Sequence, residues 1–138
     1  MTLMLDTNVL LDMFQGRPSF SDKSGAVLSD AIAGKYIGIV PAHGLTTVYY
    51  LLRKSVGELV AIESVDWLLA RFTIAPATLE TFIRARRLGI RDFEDAVVAA
   101  MPEATGCQFI VTRNTADFGS SPVKAIAPED FLQIRNAT

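Results

Sequence analysis

The sequence holds a single cysteine, Cys107, so it closes no internal disulfide and builds no multi-cysteine metal cluster. Its one histidine, His43, leaves no His and Cys set of the kind zinc takes. No apolar run approaches the ~20 residues that span a bilayer. The opening MTLMLDTNVLLDMF lacks a basic leader region and meets an aspartate early, which argues against a signal peptide or anchor and for a cytoplasmic location. Charge of one sign is missing too: 13 basic residues against 15 acidic ones give a net charge of −2. Any polyanionic partner must therefore be held by a local basic patch. Internal repeats, low-complexity tracts and long linkers are absent. What is there is 138 residues, half of them hydrophobic. That is enough for one compact core without staples, and residues 1–138 are read as a single domain.

Short apolar runs alternate with helical patterns along the chain. Thr2–Leu5 reads as a buried strand feeding a helix capped at Asp6 or Thr7. Strands are expected at Tyr36–Val40, Arg71–Ala75, Gln108–Thr112 and Val123–Ile126. Helices are expected over Asp22–Gly34, Leu45–Leu52, Ala61–Leu69, Pro76–Leu88, Phe93–Ala100 and Asp130–Ile134, with Pro102 ending or bending the fifth of these. Strands alternating with helices predict an α/β fold: a three-layer α/β/α sandwich around a mostly parallel, Rossmann-like sheet.

In such a sheet, polar groups just past the carboxyl ends of strands converge on one crevice. Asp6 follows the first strand, and Asp117 lies five residues past Thr112, at the end of the most strongly β-forming segment. A third acidic segment, Asp92-Phe93-Glu94-Asp95, opens a helix. On a helical wheel Asp92 and Asp95 share a flank outside the apolar stripe of Phe93, Ala96, Val97 and Ala100, while Glu94 points the other way. Taken singly, these acids read as helix caps and turn residues. Gathered together they would repel one another unless a hard divalent cation neutralised them, and oxygen-only ligation is what Mg²⁺ or Mn²⁺ prefers.

The segments MLDTNVLLD, DFEDAVVAA and FIVTRNTADF, in this order and at these intervals, resemble the PIN-domain ribonucleases, particularly the single-domain type that includes VapC-like toxins. The resemblance spans nearly the whole chain. It implies a Mg²⁺- or Mn²⁺-dependent endoribonuclease acting on RNA, the toxin of a toxin–antitoxin pair, with an antitoxin protein and a second copy of the chain as partners. Carried onto this sequence, it makes Asp6, Asp95 and Asp117 the catalytic metal ligands, with Asp92 as a further candidate. Asn8, Thr112 and Asn114 become supporting polar residues.

One position departs from the family pattern. Members usually place a glutamate early in the helix after the second strand, and Thr47 stands there in this chain. A hydroxyl brings no negative charge, which predicts weaker metal binding unless Glu94 or Asp92 compensates. This leaves a second reading open: a PIN-like module that binds RNA or protein with weakened catalysis. A third, phosphoryl transfer from an aspartyl nucleophile as in haloacid dehalogenases, lacks the second aspartate that chemistry wants, because Asn8 occupies its place.

For an RNA strand, Arg84, Arg86, Arg87 and Arg91 cluster ahead of Asp92, and Arg113 adjoins Asn114. These arginines are the candidate phosphate-gripping residues, with Arg53 and Lys54 as a further basic spot. His43 is expected at the surface or capping a helix, and Cys107 as an inert core thiol. Trp67 is expected in the core. The alternative is that Trp67 joins Tyr49 and Tyr50 in a surface for a dimer or a partner's helix.

Overall fold

The structure, a computed structural model, describes residues 1–16, 20–101 and 105–137, so Pro102 lies outside the described residues. Five strands, β1 (Thr2–Leu5), β2 (Ile37–Pro41), β3 (Thr73–Ala75), β4 (Phe109–Val111) and β5 (Lys124–Ile126), form one sheet in the order β3-β2-β1-β4-β5. Every pairing is parallel; Met4 sits opposite Ile39 on one side and Ile110 on the other. The helices are α1 (Thr7–Gln15), α2 (Ser21–Ile32), α3 (Ala42–Ser55), α4 (Glu58–Arg71), α5 (Leu79–Ala85), α6 (Phe93–Ala100) and α7 (Pro128–Ala137).

Side-chain alternation along the strands splits the core into two layers. Leu3, Leu5, Val40 and Val111 pack with Val9, Leu28, Val48, Leu68 and Phe131 from α1, α2, α3, α4 and α7. Met4, Ile39 and Ile110 point to the opposite face, against Ala85 of α5 and the Ala96–Met101 run. The three-layer α/β/α sandwich expected from the pattern is the observed fold.

Most boundaries shift by one to three residues from the sequence expectations. The larger differences have local causes. α5 starts at Leu79 rather than Pro76 because Thr78 forms a reciprocal capping box with Thr81. α3 begins at Ala42, immediately after β2, leaving no connecting loop. Gly44 sits at that tight junction, where an added Cβ would stand 3.2 Å from Thr7 Oγ1, so the glycine lets α3 approach the start of α1.

The topology fixes where a site can form. From β1 the chain crosses to β2 on one side, whereas β4 lies on the other, so the crevice past the carboxyl ends of β1 and β4 is the topological switch point.

Candidate metal centre

Asp6 is placed in that crevice by its backbone. Its N–H donates to the Val111 carbonyl at 3.0 Å, tying the end of β1 to the end of β4. Its side chain caps α1, with Oδ1 accepting from the Thr7 N–H at 2.8 Å. Oδ2 accepts from the Thr112 hydroxyl at 2.8 Å and from Asn8 Nδ2 at 3.3 Å. Asn8 also donates to Thr112 Oγ1 at 3.2 Å and accepts the Arg113 N–H at 3.2 Å, while Thr112 Oγ1 accepts the Asn114 N–H at 3.1 Å. Asp6 is thus oriented from both strands before any ligand arrives. Burial pushes its carboxyl up to about 6, against the hydrogen bonds of Thr112 and Thr7, and the charges of Glu94 and Asp92 add to the rise.

The start of α6 faces it. Asp92 caps this helix, accepting the Asp95 N–H at 3.0 Å. Asp95 is half-buried, and its carboxyl is pushed up to about 7, first by burial and then by the negative charges of Asp6, Asp92, Asp117 and Glu94. Asp117 lies in a 3-10 turn, Thr115–Phe118, that brings it back over the end of β4. An open cleft of about 300 Å³ is lined by Asp6, Asp92, Glu94, Asp95 and Asp117 together with Thr7, Asn8, Leu11, Thr47 and Asn114. The residues singled out as acids and as supporting groups around them therefore meet in one place, apart from Thr112, which is fully buried beneath Asp6.

Glu94 corrects the helical-wheel expectation. It does not point away: Oε1 accepts from the Thr7 hydroxyl at 3.2 Å and Oε2 from the Thr47 hydroxyl at 3.3 Å. A wheel records where a Cβ leaves the helix, but a glutamate in the first turn has enough length to reach back across the cleft. The Glu94 carboxylate of α6 thus lies against Thr47 of α3.

Arg113 is engaged away from the cleft. Its Nε lies 2.5 Å from Oδ2 of Asp12, a fully buried carboxylate, and its guanidinium stacks 4.4 Å above the Phe20 ring. It clamps α1 to the strand end that carries Thr112. Asp12 drew no attention in the sequence, although it falls four residues after Asn8 on the same helix face. Arg91 is exposed and borders a second cavity beside the acids, whereas Arg84, Arg86 and Arg87 are exposed but line neither cavity. His43 is half-buried, with both ring nitrogens enclosed and unbonded, and burial lowers its pKa, so it is neither a surface nor a capping residue. Cys107 is buried against Thr105, and burial raises its pKa.

A model of the PIN domain matches residues 2–116. The chain belongs to the PIN-domain family. Ribonuclease VapC1 of Aquifex aeolicus is 24% identical over 136 residues, covering 95% of this chain and 93% of the relative. Among solved structures, VapBC2 from Rickettsia felis bound to a DNA fragment from its promoter superposes with a TM-score of 0.73. It is 19% identical and covers 92% of this chain and 98% of its own. VapC20 of Mycobacterium tuberculosis, described as a Sarcin-Ricin loop cleaving toxin, gives a TM-score of 0.65 at 16% identity over 78% of this chain and 86% of its own. These two structural likenesses show the fold of this PIN domain.

The cleft suits a hard cation in its chemistry. Its titratable groups are carboxylates, and four of them raise the pKa of Asp95, the electrostatic strain a divalent ion relieves. The acids are gathered without being closed on a point: among the described residues no three His, Cys, Asp or Glu side chains are set to hold one ion. Asp6 is fixed by its hydrogen bonds and Asp92 by its cap of α6, whereas Asp117 is exposed.

Proposed function

We propose that this PIN domain, read as one unit over residues 1–138, is a Mg²⁺- or Mn²⁺-dependent endoribonuclease and the toxin of a toxin–antitoxin pair. The observation that carries the reading is the meeting of five carboxylates, from the ends of β1 and β4 and the start of α6, at the switch point of the sheet. Asp6, Asp95 and Asp117 are the residues that would hold the ion, with Glu94 and Asp92 beside them. A divalent ion bound there supplies Lewis acidity, favouring attack of water on the phosphodiester and offsetting charge on its oxygens.

The chain's own residues do the positioning. Thr112, Asn8 and the Thr7 N–H hold the Asp6 carboxylate in one orientation, and Thr7 with Thr47 does the same for Glu94. Such fixed ligands lose less on binding than mobile ones. Asn114 and Asp117 stand at the rim, where the strand would enter. The weakened-module alternative rested on Thr47 lacking a charge, and the Glu94 carboxylate against Thr47 weighs against it.

A cytoplasmic setting goes with this reading; among the described residues no helix is long and apolar enough to cross a membrane. An antitoxin and a second copy of the chain are the proposed protein partners. Solved complexes of similar fold include a toxin–antitoxin pair from Klebsiella pneumoniae, with a TM-score of 0.68 at 22% identity over 91% of this chain and 97% of its own. Of the aromatics offered for a docking surface, Tyr50 lies exposed on α3, whereas Tyr49 and Trp67 pack against the core.

The test is cleavage of single-stranded RNA. The wild-type chain is expected to cut with Mn²⁺ or Mg²⁺, to stop on adding EDTA and to recover on re-adding metal. Asp95→Asn is expected to be inactive; full activity of this variant would overturn the reading.

A further inference from the structure

Beside the acid cleft lies a larger groove of about 630 Å³, lined by Gly89, Ile90, Arg91, Asp92, Ala116, Asp117, Gly119 and Ser120. Asp92 and Asp117 line both cavities, so the groove continues the cleft rather than forming a separate site. Its two banks come from distant parts of the chain, the segment between α5 and α6 and the turn after β4. The Ser120 hydroxyl ties them together by donating to the Leu88 carbonyl at 2.6 Å. The volume falls in the range of about 300–1,000 Å³ typical of sites for small organic groups.

We infer that this groove seats one unstacked base of a single-stranded RNA, next to the phosphate held at the acid cleft, with Arg91 on the adjoining backbone phosphate. The inference rests on the nuclease reading of the acid cleft and adds a base-seating subsite to it. Apart from Asp92, Asp117 and Arg91 the lining is uncharged, with Gly89, Ile90, Ala116, Gly119 and Ser120 leaving room for a flat, neutral ring. A bare phosphate would be repelled by Asp92 and Asp117, whereas a neutral base is not. Arg91, the one cation lining the groove among the described residues, is exposed, as a phosphate contact needs. An open groove of this kind takes a base splayed out of a loop or single strand, whereas bases stacked in an A-form duplex are not free to enter it.

Gly119 offers a plug. Its φ is −58°, and an added Cβ would meet nothing nearer than the Ala116 carbonyl oxygen at 3.7 Å, so a larger side chain folds without backbone strain. The experiment measures binding of a fluorescein-labelled single-stranded RNA, and of the same sequence as a duplex, to the Asp95→Asn protein. Gly119→Leu in that background is expected to weaken single-strand binding about tenfold, the loss of one seated base. Arg91→Ala is expected to reduce the slope of log affinity against log salt by about 0.7, one phosphate contact on a single strand. Both variants should keep the melting temperature of their parent. Unchanged binding by Gly119→Leu, or equal affinity for duplex and single strand, overturns the groove assignment even if wild-type cleavage stands. Failure of the wild-type chain to cleave RNA overturns the nuclease reading instead, whatever these binding data show.

Discussion

Thr47 Oγ1 donates to Glu94 Oε2 at 3.3 Å, joining α3 to the first turn of α6 across the acid cleft. The pair moves a negative charge from one helix to another while keeping it in the same pocket. If Glu94 serves the metal, Glu94→Gln should weaken Mn²⁺ binding about 10–100-fold, and Thr47→Val should weaken it less. Thr47→Glu added to Glu94→Gln should recover part of the affinity, because it returns the charge to α3. Calorimetric titration with Mn²⁺ checks all three; wild-type affinity in Glu94→Gln contradicts the relay.

The two raised carboxyls make a prediction about pH. Asp95 and Asp6 titrate at about 7 and about 6 against 3.8 for an ordinary aspartate, so the folded chain binds their protons more tightly than the unfolded one. Their contribution to stability is therefore fully present below about pH 4 and is lost as pH rises through 7. Measured in EDTA, Asp95→Asn should gain in melting temperature relative to wild type as pH rises over that window. Mn²⁺ should stabilise the wild type more above pH 7 than below pH 5, because ligation needs the deprotonated acids. A difference between variant and wild type that does not change with pH contradicts this.

Arg113 and Asp12 give a stability prediction independent of the metal. Removing the cation breaks the Arg113 ion pair of a buried carboxylate, so Arg113→Met should cost about 3 kcal/mol. Replacing both residues, Asp12→Leu with Arg113→Met, should recover much of that loss, since no buried charge then remains. Urea denaturation of the three proteins measures it. A single variant as stable as wild type would show that the pair contributes nothing.

Much of this was legible in the sequence for definite reasons. The alternation of Leu3, Met4 and Leu5 between two helical layers follows from the two-residue period of a strand, and Asp6, Asp92 and Asp117 stand at element ends where local rules place them. The rest depended on contacts between remote segments. Glu94 was misdirected because a wheel ignores the reach of a long side chain toward Thr7 and Thr47, which lie on other helices. Arg113 was read as a candidate phosphate contact because nothing beside it in sequence signals that it packs against Asp12 of the distant α1. His43 was expected outside because nothing nearby in sequence signals that the packing around it encloses its ring.

The central claim is that Asp6, Asp95 and Asp117 serve one divalent ion. Anomalous diffraction from crystals soaked in Mn²⁺ tests it most directly. The account predicts a peak in the cleft with carboxylate oxygens of Asp6 and Asp95 at about 2.1 Å, the distance such small hard cations take. Saturating Mn²⁺ with no peak between these side chains would contradict it.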